Sequence, residues 1–545
     1  MTSGIATTST EPNTRVPPRD PWPRLWFGSW CGGIALIVFF LAVSFFLLGY
    51  FNIYWRHADM DMIVVHNALA LNDGKILFFD HPAYFTILSV KFWFWLLHQF
   101  GLLDAWTISA IPSASNVAAF DAAMTSAVRA ARVLSLLTAI VFVLIFASLI
   151  RLIVRDWRLA GLMTFAFAFS GGIGMHMRIL RSEMISACFL SFSFMLLIIM
   201  AKRGTPWRPL ILAAAASLCI LGLENKVHAV LLIAALPLMV QPFGSDSSKS
   251  AAFWFSGARS WFAVLVIGIA AGLLVWASMP VIAAGFGRAA LALLSFRPLA
   301  GGGAYQVALL IWIFLGVVVF ARTWNVNAAE TIATMFAIVA GAALGLLALY
   351  LEYDVRNAVI VMNPLEQMLG YADLSPLSSS GGGFFGLVSL LVVDALRVLL
   401  RYTFILSPSP RPTVFLVWLV LPGIIYAWRR GDKQVAVQAT LLMLCAMGIE
   451  TLEMRRGLKA EYLIFTDPLI IIAGAVLLDR MSDLRFRRWA YPIGAALIVM
   501  HVSITQMQAV KHVLLQRGPE EICEWNQYYL SLMPVPWCDL PPKRV

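Results

Sequence analysis

"IALIVFFLAVSFFLLGYFNIYWRHADMDM", residues 34–62, sets an unbroken apolar run against a histidine and two aspartates. The run from Ile34 to Tyr50 and its flanks are long enough to cross a bilayer as helix, which takes about 20 apolar residues. His57, Asp59 and Asp61 then stand where the chain leaves the membrane. The whole chain of 545 residues follows this first stretch: 60% is hydrophobic, 13% is charged and the mean hydropathy is +0.81. A soluble core cannot hide that much apolar side chain. Membrane barrels alternate apolar with polar residues, and these runs do not. The sequence predicts an all-α polytopic membrane protein.

The net charge of +11 comes from short Lys/Arg clusters between apolar spans, the pattern of cytoplasmic loops. No tract has the length or aromatic interleaving of a nucleic-acid arm, so no nucleic-acid partner is expected. Residues 1–30 are mostly polar and read as a cytoplasmic tail; that is unlike a cleaved signal peptide, so the first span, about 31–52, stays as an anchor. With "RLIVRDWR" (151–158) inside, one crossing at about 129–150 suffices, and 53–128 becomes a large outer loop. Its apolar stretch 82–101 lies in the interface or re-enters. Spans follow at about 159–176, 184–201, 209–223, 226–242, 260–281, 305–322, 329–351, 412–428, 434–453, 462–479 and 490–509. A second outer loop, 352–411, holds the amphipathic stretch 384–405, which is not counted as a crossing because that would put "WRRGDK" outside. The expectation is about 13 transmembrane helices, in modules 31–245 and 246–509, with an outer tail at 510–545. Cys31, Cys188, Cys219 and Cys445 lie singly in spans, whereas Cys523 and Cys538 lie in that tail, where an oxidising compartment would let them bridge.

Ionisable residues gather at the outer edges: His57, Asp59, Asp61, His66, Asp80, His81, Arg178, Arg181, Glu183, Glu224, Lys226, His228, Lys459 and Glu461. Charges at membrane depth are costly and are usually paired or functional, so each could also be a structural ion pair. "DMDMIVVHNALALNDGKILFFDHPAYFTIL" resembles the first outer loop of GT-C glycosyltransferases, the superfamily of protein O-mannosyltransferases and lipid A aminoarabinose transferases. Asp59 opens the pattern, Gly74 closes a short interfacial helix, and "FFDHPA" supplies Phe79, His81 and Pro82, with Ala83 in place of a second proline. "RAARVLSLL" (Arg132), "RILRSEMISACF" (Glu183), "LGLENKVHAVLLIAALPLMV" (Lys226) and "KAEYLIFTDPLIIIAGA" (Tyr462, Pro468) are similar to later motifs in the same order.

The resemblance implies transfer of a sugar from a polyprenyl-phosphate carrier to a lipid, glycan or protein acceptor, on the periplasmic face of a bacterial inner membrane. It makes Asp59 the general base, with Asp61 and Glu183 as further catalytic acids. Arg178, Arg181, Lys226 and Lys459 are candidate cations for the lipid phosphate, and His81, Tyr84, His228, Glu461 and Tyr462 complete the substrate-binding set. In a helix Asp61 is about 200° around from Asp59, so the two cannot aim at one atom. Asp59 and Asp61 with His57 could bind a divalent cation (Mg or Mn), against plain hydrogen bonding as the simpler reading. A secondary transporter would favour an internal repeat and mid-membrane charges, and neither is found. An oligosaccharyltransferase or polysaccharide ligase is a nearer rival, but its usual large soluble C-terminal domain is missing.

Overall fold

The computed structural model describes residues 29–57, 61–75, 83–203, 207–223, 328–352, 383–402, 414–454 and 462–481, with isolated positions elsewhere, among them 225, 226 and 229 and several between 492 and 538. These residues are mostly helical, and no strand occurs among them. Among the described residues four helices are long and apolar enough to cross a membrane: Trp30–Tyr50, Val117–Ile153, Glu183–Lys202 and Lys433–Glu453. The expected crossings at 226–242, 260–281, 305–322 and 490–509 lie wholly or mostly outside the described residues.

Helix α1 (Ser29–Phe45) continues through a π-helical turn, Phe46–Tyr50. Helices α2 (Asp61–Asn72) and α3 (Tyr84–Gln99) follow, then α4 (Val117–Ile153), α5 (Trp157–Ala168), α6 (Gly171–His176), α7 (Glu183–Arg203) and α8 (Arg208–Leu223). The later part adds α9 (Ala328–Glu352), α10 (Gly383–Tyr402), α11 (Val414–Arg429), α12 (Lys433–Glu453) and α13 (Leu463–Met481). Local chemistry explains several ends. Gly74, at φ +72°, takes the left-handed residue after α2, and Lys75 N–H donates to Ala70 O at 2.8 Å, closing the helix at the glycine the sequence singled out. Asn116 accepts from Ala119 N–H to start α4, and Asp156 accepts from Arg158 N–H to start α5.

Two boundaries differ from the sequence reading. The crossing expected from about residue 129 is only the last two-thirds of α4, whose 37 residues make a rod of about 55 Å against a hydrocarbon core of roughly 30 Å. The added N-terminal turns, "VAAFDAAMTSAV", are rich in alanine and need no lipid to be helical. The crossing expected at 159–176 is interrupted at Phe169–Ser170, where Ser170 Oγ accepts from Ile173 N–H and restarts the chain as α6. Gln506 Nε2 donates to Phe169 O at 2.9 Å, satisfying a carbonyl near that break.

Helices α4, α7, α12 and α13 share one apolar core that includes Phe146, Phe194, Leu442 and Phe465. A second core, formed by Val65, Leu69, Ile87, Phe94 and Phe120, joins α2 and α3 to the projecting start of α4 in a cap. Cys523 and Cys538 are joined as a disulfide, and Leu530, Met533 and Val535 between them are buried in that same cap core. At the other end of the bundle, Asp479 on α13 accepts from Arg155 N–H at 2.7 Å and pairs with Lys202 Nζ at 2.8 Å. Three clusters that the sequence put on one side, around 151–158, 202–208 and 480–488, thus begin at one end of the structure.

Candidate active site

A buried ion pair ties the cap to the bundle. Asp61, the first residue of α2, and Arg132, in the body of α4, are both wholly buried. Arg132 Nε and Nη2 donate to Asp61 Oδ2 at 2.8 and 2.5 Å in a fork. Arg132 Nη1 also donates to Asn52 O at 2.6 Å, in the turn after α1. The other carboxylate oxygen, Oδ1, accepts from Leu180 N–H at 2.6 Å. Asp61 therefore binds α4, the 178–182 turn and, through Arg132, the end of the first span. Both oxygens of Asp61 are thus engaged, Oδ2 by the Arg132 guanidinium and Oδ1 by Leu180 N–H, while Asp59 and the side chain of His57, the other members of the suggested divalent site, lie outside the described residues. Among the described residues no group of three or more His, Cys, Asp or Glu side chains is placed to hold a metal.

A second buried cluster lies at the start of α7. Glu183 is completely buried, and Arg181 Nη2 and Lys226 Nζ approach its Oε1 at 3.2 and 2.9 Å. Arg181 Nε also donates to Oε2 at 3.3 Å, and His176 Nε2 stands 3.9 Å from that oxygen. The ring of His176 is oriented by Nδ1 donating to Gly172 O at 2.7 Å. Lys226 sits on the tip that follows α8, held by its own N–H to Gly222 O and by Ser186 Oγ donating to the same carbonyl at 2.7 Å. The neighbouring Asn225 accepts on Oδ1 from Phe85 N–H at 2.9 Å and Thr86 N–H at 3.3 Å. Asn225 thus caps α3 from 140 residues away in sequence, and fixes the start of that helix beside the Lys226–Glu183 pair.

Of the residues singled out in the sequence, Glu183, Arg181 and Lys226 come together, and Tyr84 is buried at the start of α3, next to the backbone that Asn225 caps. Tyr462 is buried immediately before α13. Arg178 goes elsewhere: its Nη2 donates to Ser44 Oγ and to Gln506 Oε1. Asp59, His81, His228, Lys459 and Glu461 lie outside the described residues, as does the side chain of His57. Sequence reasoning missed Asn225 and Gln506. It matched Arg132 to a motif without finding its carboxylate. The available signal was an arginine inside an apolar run, which needs a partner.

The cap also contains His66, wholly buried in α2, with neither ring nitrogen hydrogen-bonded among the described residues. Burial holds its pKa down at about 4, against 6.5 for an ordinary histidine. The folded cap therefore keeps His66 neutral while an unfolded chain takes up a proton below about pH 6.5. Stability is complete above that pH and is lost as pH falls towards 4, by about 3 kcal/mol from this group. Thermal unfolding followed from about pH 7.5 to about pH 4.5 should show this slope, and His66→Phe should remove most of it. An unchanged slope in the variant would assign the acid sensitivity to other groups.

No protein-family model, no curated protein and no solved structure matches this chain.

Proposed function

We propose that the chain is a membrane glycosyltransferase of the GT-C kind, moving a sugar from a polyprenyl-phosphate donor to a lipid, glycan or protein acceptor. The observation that carries this reading is the pair of cations, Arg181 and Lys226, fixed on one buried carboxylate beside the start of α3. Departure of a lipid phosphate develops negative charge, and cations already held in place stabilise it without reorganising during the reaction. Glu183, engaged by both, is better suited to orienting them than to taking a proton. Asp61 is a positioning residue by the same reasoning, since its oxygens hold Arg132 and Leu180 N–H.

The base in this proposal is Asp59, two residues before the tethered Asp61, where an acceptor hydroxyl arriving from the interface would meet the donor. The exposed side of the α3 region, with Phe92, Trp95 and Phe100, fits an interfacial helix resting on lipid head groups. Arg129, stacked 5.4 Å from the Tyr50 ring and 5.6 Å from the Phe51 ring, fits the membrane border at that level. The proposed topology keeps about thirteen crossings in a bacterial inner membrane, with the cap and the disulfide-closed tail in the periplasm.

The test is sugar transfer by purified protein in liposomes from synthetic polyprenyl-phosphate sugars. The wild type should transfer, and Asp59→Asn should lower the rate by about 10²–10⁴-fold while leaving folding intact. Wild-type protein that uses no such donor would remove the glycosyltransferase reading. Full activity in Asp59→Asn would remove only the base assignment.

A further inference from the structure

The outward side of α4 begins and ends on an arginine, and the two have different surroundings. From Arg129 that side runs through Leu137, Val141 and Leu144, all exposed, to Arg151. The rise from one arginine to the other is about 33 Å, against a hydrocarbon core of roughly 30 Å, so both guanidiniums stand at head-group borders. Arg151 is engaged by the chain itself: Nη1 donates to Val154 O at 3.3 Å and to Arg155 O at 3.1 Å. Arg129, at the cap end, is half-buried, and among the described residues nothing accepts from its Nε, Nη1 or Nη2. No carboxylate among them pairs with it.

Two rings hold Arg129 instead. Its Cζ stands 5.4 Å from the centre of the Tyr50 ring and 5.6 Å from that of Phe51, and the two rings meet edge to face, 5.0 Å apart at 86°. Ring faces fix a guanidinium without using any of its N–H groups. Nε is buried, which leaves the two Nη groups as the accessible donors. An arginine that only snorkels to water needs no such pinning, because its stem is free to follow the interface. Ordering it in advance favours a ligand that would otherwise have to order it on binding. Phe46, Leu47, Phe51 and Ile53 beside it are exposed and apolar, as are Leu137, Val141 and Leu144 along α4, so the surface suits an occupant with an apolar part as well as an anionic one.

We infer that Arg129, set against Tyr50 and Phe51, docks the head group of an anionic phospholipid from the leaflet on the cap side, with the acyl chains along Leu137, Val141 and Leu144. The phosphate oxygens accept from Nη1 and Nη2, a planar fork that matches two oxygens of one phosphate. The lipid's net negative charge supplies the counter-charge that the chain does not. The site is open at the surface where the end of the first span meets α4, so a lipid reaches it from the bilayer without entering the bundle. It does not rest on the sugar-transfer reading, and it shares no residue with the Glu183 cluster.

Wild-type protein and the variants Arg129→Gln, Arg129→Lys, Phe51→Ala and Arg151→Gln are purified in mild detergent. Phosphatidylglycerol, phosphatidylcholine and polyprenyl phosphate are titrated onto each, with inorganic phosphate as a competitor, and bound lipid is measured by native mass spectrometry. The wild type should bind phosphatidylglycerol more tightly than phosphatidylcholine. Arg129→Gln should weaken phosphatidylglycerol binding by roughly ten- to a hundredfold, the loss expected for hydrogen bonds to a charged group. Arg129→Lys keeps the charge without the planar fork and should recover only part of it. Phe51→Ala leaves the arginine in place and removes one exposed ring, so it should cost about two- to fivefold and covers the case in which Arg129→Gln does not fold. Arg151→Gln removes the same charge from the other border and should leave binding unchanged. An equal loss in Arg151→Gln would overturn the inference, because net charge alone would then explain it. So would wild-type affinity in Phe51→Ala or in a folded Arg129→Gln, or equal binding of phosphatidylcholine by the wild type. Tighter binding of polyprenyl phosphate would make this a place for the sugar carrier, and inorganic phosphate competing as well as the lipid would make it a free-anion site; either result overturns the phospholipid assignment.

Discussion

Arg132→Met should destabilise the fold by about 3–5 kcal/mol. The substitution leaves Asp61 wholly buried without its guanidinium, and it removes one donor from the carbonyl of Asn52. Replacing the pair together, Asp61→Leu with Arg132→Met, removes both buried charges and should cost clearly less than the sum of the two single changes. The recovery is incomplete because the bonds Arg132 Nη1 to Asn52 O and Leu180 N–H to Asp61 Oδ1 are both lost. Unfolding of all four proteins in the same detergent gives the coupling directly. Additive effects would mean that the pair is not what joins the cap to the bundle.

Lys226→Met should give the largest loss of transfer among changes outside the base, about 10²–10³-fold in kcat. Its ammonium lies 2.9 Å from Glu183 and is only slightly exposed, so no solvent cation can take its place. Lys226→Arg should keep part of the rate, because charge is retained while position changes. Glu183→Gln acts through the cations: Arg181 and Lys226 lose their shared anchor, so activity falls with a smaller change in KM than in kcat. A rate within a few-fold of wild type in Lys226→Met would take the leaving-group role away from this cluster.

Much of this was legible because it depends on local pattern. The ends of α7, α8, α12 and α13 fall within about two residues of the apolar windows, since a continuous apolar run bounded by polar residues marks where a buried helix starts and stops. Gly74 was legible because a left-handed residue after a short helix favours glycine. The tail cysteines were the only two outside the spans expected from the sequence. The Asp61–Arg132 pair was not legible, because 71 residues separate its members and nothing local says which charge meets which. The break at Ser170 was hidden for a similar reason: serine is tolerated in spans, and it is the carbonyl bonded by Gln506 from 337 residues away that makes the interruption acceptable. Asn225 looked like one more polar residue in a turn, and only the structure gives it the start of α3 to cap.

The burial of Leu530, Met533 and Val535 in the cap has a consequence for how the protein is made. Helices α2 and α3 and the start of α4 leave the ribosome some 400 residues before the segment that finishes their core. At about 5–20 residues per second that is roughly 20–80 s of synthesis. For that interval the cap is an unfinished surface with its apolar interior open on one side, and a chain stopped short of residue 530 never closes it. Loss of the stretch around 530–535 would then be felt first in α2 and α3, more than 400 residues earlier in the chain.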